Sequence, residues 1–261
     1  MARLDTELVR RGLARSRERA KEMIRSGYVT VNGKAAGKPS DEAAESDEIV
    51  ASDTDIYVGR GALKLEKAVK VFSIDLLGKV CLDIGASTGG FTDYMLQNGA
   101  LKVFAVDVGR GQLAGKLTGD PRVINMENTD IRNITADDIG GQADFISVDV
   151  SFISLTKILP KVYELLKDGA FAVVLIKPQF EAGRSSIGKH GVVKDKRAHV
   201  RVLSKIDAFA RSVGFAAEGY TYSPLRGGSG NIEYLAKLCK RGGESLIHDF
   251  NELTDSSFNK L

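Results

Sequence analysis

Residues 79–90 read KVCLDIGASTGG and form the segment that decides the fold. An apolar strand over 79–84 runs directly into a glycine-rich turn, and the pattern predicts a helix over 91–97. In open α/β sheets ligands bind where strands end in such turns, because glycine lets the backbone approach a ligand closely. The spacing Asp-x-Gly-x-Ser-x-Gly-Gly differs from the dinucleotide fingerprint and lacks the Gly-Lys of a P-loop. Taken alone, the turn is equally consistent with a tight connection that binds nothing.

Strand and helix patterns alternate along most of the remaining chain. This alternation is typical of a parallel α/β sheet. The last two strands are expected to close the sheet as an antiparallel pair. Further strands are predicted over 102–108, 123–125, 144–150, 171–176, 215–222 and 232–239, and helices over 61–72, 155–166 and 196–213.

Aspartates stand at or just after the ends of four successive strands. A single such residue is readily explained as a turn or helix cap. Four at one edge of a sheet favour a ligand site instead. Asp107 lies about 20 residues after Gly85, the separation at which an acid accepts hydrogen bonds from a ribose diol in nucleotide-binding sheets. The four residues are Asp83, Asp107, Asp130 and Asp149.

Net charge conceals an uneven distribution along the chain. The 261 residues sum to only +3, and with 43% hydrophobic residues they form one or two folded domains rather than a disordered chain. Residues 1–38 hold ten Lys or Arg and four acids, whereas residues 39–58 hold seven acids and no Lys or Arg. The near-cancellation hides a basic segment at the N-terminus. The acidic block either keeps this segment off RNA or packs against it.

The first 55 residues predict two short helices followed by a hairpin at Asn32-Gly33. The stretch RLDTELVRRGLARSRERAKEMIRSGYVTVNGK, residues 3–34, resembles the S4 RNA-binding domain. A solvated basic helix beside a structural hairpin is the alternative. The resemblance implies RNA contacts, to which we add Lys189 in a later basic loop. The candidates are Arg3, Arg10, Arg11, Arg15, Arg17, Arg19, Lys21, Arg25 and Lys189.

Several classes are disfavoured by what the chain contains. Cys81 and Cys239 are far apart and near no histidine, whereas a zinc site needs about four ligands at short spacings, so no metal is expected. We interpret them as reduced thiols of a cytoplasmic protein. No apolar run approaches the ~18 residues of a membrane span, and no apolar signal region begins the chain. No membrane partner is therefore expected.

The larger part of the chain resembles the Rossmann-like S-adenosylmethionine methyltransferases, which implies a mostly parallel seven-stranded sheet. We divide the chain into an S4-like domain over 1–55, a linker over 56–60, the methyltransferase domain over 61–241 and a polar tail over 242–261, expected to be a frayed helix or disordered. The resemblance implies that S-adenosylmethionine is bound around the glycine turn. Its implied contacts are Asp83, Gly85, Ala86, Ser87, Gly89, Gly90, Phe91, Asp107 and Asp130.

Six ordered blocks narrow the resemblance to the TlyA family, also called hemolysin A. They are YVGRGALKLEKA, DIGASTGGFTD, VDVSFISL, LIKPQFEAGR, HGVVKD and GNIEYL. Within them Lys64, Asp149, Lys177 and Glu233 match the catalytic tetrad of the FtsJ-like ribose 2′-O-methyltransferases. The residues after Asp149 lack the Asn-Pro-Pro-Tyr-like motif of amino-group methyltransferases. The resemblance thus implies methylation of cytidine 2′-hydroxyls in the ribosomal RNA of ribosomal subunits.

The residue types suit this chemistry, because a ribose hydroxyl must be aligned with the methyl donor and lose its proton as it attacks. We expect Lys177 to orient the hydroxyl and stabilise the developing alkoxide, with Asp149 and Glu233 positioning this lysine and Lys64 completing the charge network. Two other function classes stand beside this one: a membrane-active hemolysin, and an inactive RNA-binding or ribosome-assembly factor. The sequence leaves both a monomer and a weak dimer open.

Overall fold

A computed structural model describes most of the chain, which divides into two compact units, Met1–Arg60 and Gly61–Leu261. The structure describes residues 2–14, 16–25, 28–51, 57–183, 186–227, 230–241 and 246–261.

The first unit packs two helices against short strands. Its core contains Leu4, Leu8, Met23, Ile24 and Val29, all at most 3% exposed. The predicted hairpin is confirmed, since Asn32 and Gly33 both have positive φ between two antiparallel strands. The elements are α1 (Leu4–Arg10), α2 (Arg17–Arg25), β1 (Ala2–Arg3), β2 (Val29–Val31), β3 (Lys34–Ala35), β4 (Glu42–Ala43) and β5 (Ile49–Ala51).

As far as residue 51, the acidic block packs within this unit, which is one of the two alternatives that the sequence left open. Arg11 donates to the backbone carbonyls of Ala44, Glu45 and Asp47 at 2.7–3.1 Å and to Glu7 at 2.7 Å. The strand β5 pairs with β2. The segment is therefore part of the small domain's own structure.

The second unit contains the predicted α/β sheet, with seven strands in the order β11-β12-β10-β9-β6-β7-β8. The central pairs are parallel. The last strand, β12, runs antiparallel to β11, as expected, and also to β10. Buried side chains, mostly Leu, Ile, Val and Ala from the strands and helices, form its hydrophobic core. The strands are β6 (Val80–Ile84), β7 (Lys102–Val106), β8 (Val123–Met126), β9 (Ala143–Val148), β10 (Leu166–Ile176), β11 (Ala216–Tyr222) and β12 (Tyr234–Cys239).

Helices cover the sheet, and one expected helix is shorter than predicted. The segment from residue 155 begins as a 3₁₀ turn, Leu155–Lys157, because the Ser154 hydroxyl accepts from the amide of Thr156 and Pro160 follows. No described helix is long and apolar enough to cross a membrane. The helices are α3 (Gly61–Phe72), α4 (Gly90–Gln97), α5 (Gly115–Thr118), α6 (Leu159–Leu165), α7 (Pro178–Glu181), α8 (Lys196–Val213) and α9 (Phe250–Lys260).

A helix does form in the polar tail, but within residues 246–261 it is capped and packed rather than frayed or disordered. Asp249 caps α9 by accepting from the amides of Asn251 and Glu252. Phe250, Leu253 and Phe258 pack on the hydrophobic core. The polar composition of the tail concealed an apolar stripe at helical spacing. Residues 242–245 lie outside the described part of the chain.

Candidate active site

The carboxyl ends of β6, β7 and β9 meet at one edge of the sheet and enclose a cavity of about 420 Å³. Gly85 and Ser87 line it on one side. The carboxylate-bearing residues Asp107, Asp130 and Asp149 also line it. Three of the four predicted strand-end aspartates therefore reach one cavity, as parallel topology requires.

Gly85 is the position at which the glycine turn has to be glycine. Its φ is +85°, and a Cβ built there would lie 2.5 Å from the backbone oxygen of Asp149. Real Cβ atoms do not approach that closely, and L side chains rarely adopt this φ. The absence of a side chain at Gly85 thus lets the β6 turn pack directly on the residue that follows β9.

Asp83 lies beneath this turn rather than in the cavity. It is fully buried, and its two carboxylate oxygens accept hydrogen bonds from Thr92 Oγ1 at 2.7 Å and Ser147 Oγ at 2.9 Å. Burial raises its pKa to about 6. Asp83 therefore joins β6 to α4 and β9 from below, and among the described side chains its partners are hydroxyl groups.

Asp107 connects the turn to the cavity. One of its oxygens accepts from the amide of Ser87 at 2.8 Å and the other from the amide of Gly109 at 2.7 Å. The side chain of Gln112 lies over the same residues, with its amide oxygen 3.2 Å from Ser87 Oγ. Each oxygen of Asp107 retains a lone pair for a ligand.

Of the remaining cofactor candidates, one lines the cavity and the others do not. Asp130 lines the cavity, and both of its oxygens pair with Arg132, which lowers the pKa of this carboxyl. Phe91 is 4% exposed and its ring lies near Gly61. Residues 86, 89 and 90 belong to the turn and the start of α4 and do not contribute to the cavity wall.

The four residues of the predicted tetrad come together from α3, the ends of β9 and β10, and the segment before β12. Lys64 Nζ donates to Glu233 Oε2 at 2.6 Å and lies 4.0 Å from Asp149 Oδ2. Lys177 Nζ lies 2.5 Å from Asp149 Oδ1. The charges alternate along a chain from Glu233 through Lys64 and Asp149 to Lys177. Glu233 thus contacts Lys64 and not Lys177.

Burial makes this chain of charges mutually dependent. The side chains of both lysines are 10% exposed, that of Glu233 is 3% and that of Asp149 is 20%. A buried charge is costly unless an opposite charge accompanies it. Lys177, at the end of the chain, also donates to Ser151 Oγ at 2.9 Å. Its ammonium group is the one placed beside the cavity-lining loop.

An exposed aromatic residue stands next to Lys177. Phe152 follows Ser151 in the cavity wall, is 91% exposed and has a φ of +63°. Its ring contacts that of Phe180, with centroids 5.0 Å apart. Such exposure is unusual for a phenylalanine held in a strained conformation, and it creates an apolar surface at the cavity mouth.

Glu181 fixes the loop that carries these groups. Its carboxylate accepts from the Leu155 amide and from Ser154 Oγ, both at 2.7 Å. Lys205 of α8 lies 3.4 Å from the same oxygen that Ser154 contacts. The segment from Asp149 to Leu155 is thereby attached to α7, the helix that begins directly after Lys177.

Several of the predicted RNA-binding arginines form ion pairs with acidic residues of the first unit itself. Arg3 and Arg17 pair with the buried carboxylate of Asp5, and Arg10 pairs with Glu7. Arg11 is used structurally, as described above. Lys21 forms an exposed pair with Glu18, and Lys189 lies on an exposed turn. Arg15 and the side chain of Arg25 lie outside the described residues.

Sequence reasoning missed Ser151, Phe152, Gln112 and Glu181 as parts of the site. The first two directly follow Asp149, so their position in the chain was a usable signal. The role of Glu181 depends on contacts with two other elements, which no local pattern encodes.

Comparisons with known proteins agree with this architecture. The family described as FtsJ-like methyltransferase matches residues 57–240, and the S4 domain family matches residues 2–49. The 16S/23S rRNA (cytidine-2′-O)-methyltransferase TlyA of Mycobacterium tuberculosis is 45% identical over 257 residues, covering 95% of this chain and 96% of that protein. A Bacillus subtilis protein, named "Putative rRNA methyltransferase YqxC", is 48% identical over 238 residues, covering 90% and 85% of the two chains.

Solved structures agree as well. One from Streptococcus thermophilus, named "Putative hemolysin", has a TM-score of 0.78 and 42% identity, and covers 99% of this chain and 96% of that one. The fold and site define a methyltransferase with an N-terminal S4 domain. The chain belongs to the FtsJ-like methyltransferases and, within them, to the TlyA family.

Proposed function

We propose that this protein transfers a methyl group from S-adenosylmethionine to the 2′-hydroxyl of a cytidine ribose in ribosomal RNA. The observation that carries the proposal is the buried alternation of Glu233, Lys64, Asp149 and Lys177 beside a cavity at the sheet edge. The names of the TlyA relatives support the substrate class.

The cavity suits the proposed cofactor by the chemistry of its wall. Asp107 and Asp130 offer carboxylate oxygens to hydroxyl and amino groups, and Gly85 and Ser87 allow close approach of backbone. Val108, Ile131 and Ile153 supply apolar contacts for a flat ring. When bound, S-adenosylmethionine supplies an electrophilic methyl group on a positively charged sulfur. Asp107 would hold the ribose diol.

Lys177 has the central role in our mechanism. Its ammonium group would donate to the ribose 2′-oxygen, orient a lone pair toward the methyl carbon and stabilise negative charge as the hydroxyl proton passes to solvent water. Asp149 keeps this ammonium in place through a direct ion pair. Ser151 Oγ accepts a second hydrogen bond from the same nitrogen and so helps to fix its orientation.

Lys64 and Glu233 would act one step further away. Lys64 balances the second oxygen of Asp149, and Glu233 balances Lys64. Without Glu233 the cluster would carry an excess positive charge and Asp149 would be drawn toward Lys64. Both residues are therefore positioning residues for Lys177 in this scheme.

The test uses tritiated S-adenosylmethionine, the purified full chain and ribosomal subunits that lack the modification. Label should appear in 2′-O-methylcytidine after nuclease digestion, and Lys177→Ala should abolish it. Lys167→Ala is the matched control, because Lys167 is an exposed lysine at the opposite end of the same strand. Absence of label from both subunits, or label on the base, would refute the proposal.

A further inference from the structure

The helix α8 carries exposed cations at every fourth position: Arg197, Arg201 and Lys205. A four-residue step rises about 6 Å and turns about 40° beyond a full turn, so the three side chains form a slanted row about 12 Å long. Val202 and Ile206 on the opposite face are buried in the core. We call Arg197, Arg201 and Lys205 the basic ridge.

Acidic residues neutralise this ridge only in part, because two nearby carboxylates, Asp195 and Glu181, face its three cations. Arg201 approaches Asp195 at 3.5 Å, and both side chains are more than half exposed, a geometry that contributes little. Lys205 is held more firmly, because its Nζ donates to the backbone oxygen of Glu181 at 3.2 Å and lies 3.4 Å from the buried carboxylate of the same residue. Within the described part of the chain, Arg197 forms no ion pair.

The other flank of α8 shows the contrast. There Lys196 forms an ion pair of 2.5 Å with Asp255 of α9. The basic side chain nearest α9 is therefore matched by an acid, while the ridge still faces solvent with a surplus of positive charge. This surplus is a property of one face of the helix.

The ridge leads toward the reacting end of the site. Its last member, Lys205, and the loop residue Ser154 contact the same oxygen of Glu181. Glu181 directly follows Phe180, whose ring contacts Phe152 at the cavity mouth. A strand that presents one nucleotide to Lys177 would have neighbouring nucleotides beside this row of cations.

We propose that the basic ridge binds phosphates of the RNA strand that flanks the target nucleotide. The inference rests on the proposed function, because it takes its partner from the RNA substrate. Phosphates repeat along an RNA strand whatever its sequence, and arginine binds them through paired N–H donors. A regular row of cations that leads toward the cavity fits such a repeating partner better than it fits a single small anion.

The experiment compares equilibrium binding of unmodified ribosomal RNA and of ribosomal subunits across KCl concentrations. The ridge variant is R197Q/R201Q/K205Q in the full chain. The control variant, K70Q/K102Q/K167Q, removes the same charge from three exposed lysines away from the site. Calorimetric binding of S-adenosylhomocysteine checks that each variant has an intact cofactor site.

If each ridge residue contacts one phosphate, the slope of log Kobs against log[KCl] should become less negative by about 2–3 in the ridge variant. The control should keep the wild-type slope. An unchanged slope in the ridge variant would overturn the inference, and so would a loss confined to subunits with normal binding of naked RNA, which would indicate an acidic protein partner. If the ridge variant shows the expected change of slope but the wild-type protein transfers no methyl group, the proposed function is refuted and the RNA-binding role of the basic ridge is retained.

Discussion

Lys64 Nζ donates a 2.6 Å hydrogen bond to Glu233 Oε2 across 169 positions of sequence. The helix before the sheet and the segment before β12 are thus joined by a buried ion pair. Removing one partner of such a pair leaves an uncompensated charge, which costs far more than loss of an exposed pair. The contact links tertiary stability to the charge balance of the site.

We therefore expect Glu233→Gln and Lys64→Met each to destabilise the larger unit by about 3 kcal/mol. The double variant should cost less than the two single changes together. Urea unfolding followed by circular dichroism measures these values. The exposed pair Lys70 and Glu66 on the same helix is the control, and K70M/E66Q should cost under about 1 kcal/mol. Additive effects at Lys64 and Glu233 would contradict the inferred coupling.

A second prediction concerns Gly85, where a Cβ would meet the backbone oxygen of Asp149 at 2.5 Å. Gly85→Ala should displace the Asp149 backbone and weaken binding of S-adenosylhomocysteine at least tenfold by calorimetry. Gly111→Ala separates clash from backbone strain, because Gly111 also has positive φ but has open space around it. Gly111→Ala should lower the free energy of unfolding by about 1–2 kcal/mol, which is the conformational strain alone, and leave the binding of S-adenosylhomocysteine unchanged. If both variants weakened the binding of S-adenosylhomocysteine equally, the steric explanation for Gly85 would be excluded.

The sequence was informative where one rule connects local pattern to tertiary position. Parallel strands end at one edge, so the aspartates after β7 and β9 could be expected to share a cavity. The same rule could not place Arg11, because its acceptors are backbone carbonyls more than thirty residues away. It also left Glu233 without its partner, since the Lys64 contact depends on how α3 lies against the sheet.

A third prediction follows from the pKa of Asp83, which burial raises to about 6 from an ordinary value of 3.8. Between these values the folded protein holds the proton that the unfolded chain releases, so stability falls as pH rises through this window. Asp83→Asn removes the titrating group. The stability of wild type minus that of the variant should therefore decrease by about 2 kcal/mol from pH 4 to pH 6, out of about 3 kcal/mol over the whole titration.

Comparing the two proteins at each pH cancels the contributions of other carboxyl groups. Glu7 and Glu127 have pKa values lowered to about 2, by hydrogen bonds from Arg10 and from the Leu113 amide respectively, and both occur in either protein. Urea unfolding at half-unit pH steps provides the measurement. A difference that stays constant with pH would mean that Asp83 ionises normally in the folded state.

A fourth prediction separates structure from RNA binding among the N-terminal arginines. Arg11→Ala should release the segment over residues 44–47, because Arg11 donates to three of its carbonyls. Hydrogen exchange at the amides of β2 and β5 should accelerate. Lys21→Ala removes an exposed pair with Glu18 and should leave this exchange unchanged while weakening RNA binding. Unchanged hydrogen exchange in the Arg11 variant would contradict the structural role of Arg11 and leave RNA binding as the role to test for this residue.

The last prediction concerns Phe152, which is 91% exposed beside Lys177 and touches Phe180. An exposed ring adds little to folding stability, but stacking of a nucleic-acid base on it contributes about 1–3 kcal/mol. Phe152→Ala should therefore reduce kcat/KM for ribosomal subunits by about 5- to 150-fold and leave cofactor binding unchanged. Leu77→Ala, a truncation of a 72% exposed apolar residue, is the control and should retain full activity. If Phe152→Ala lowers unfolding stability by more than about 1 kcal/mol while RNA kinetics stay normal, the ring serves the fold and not the substrate.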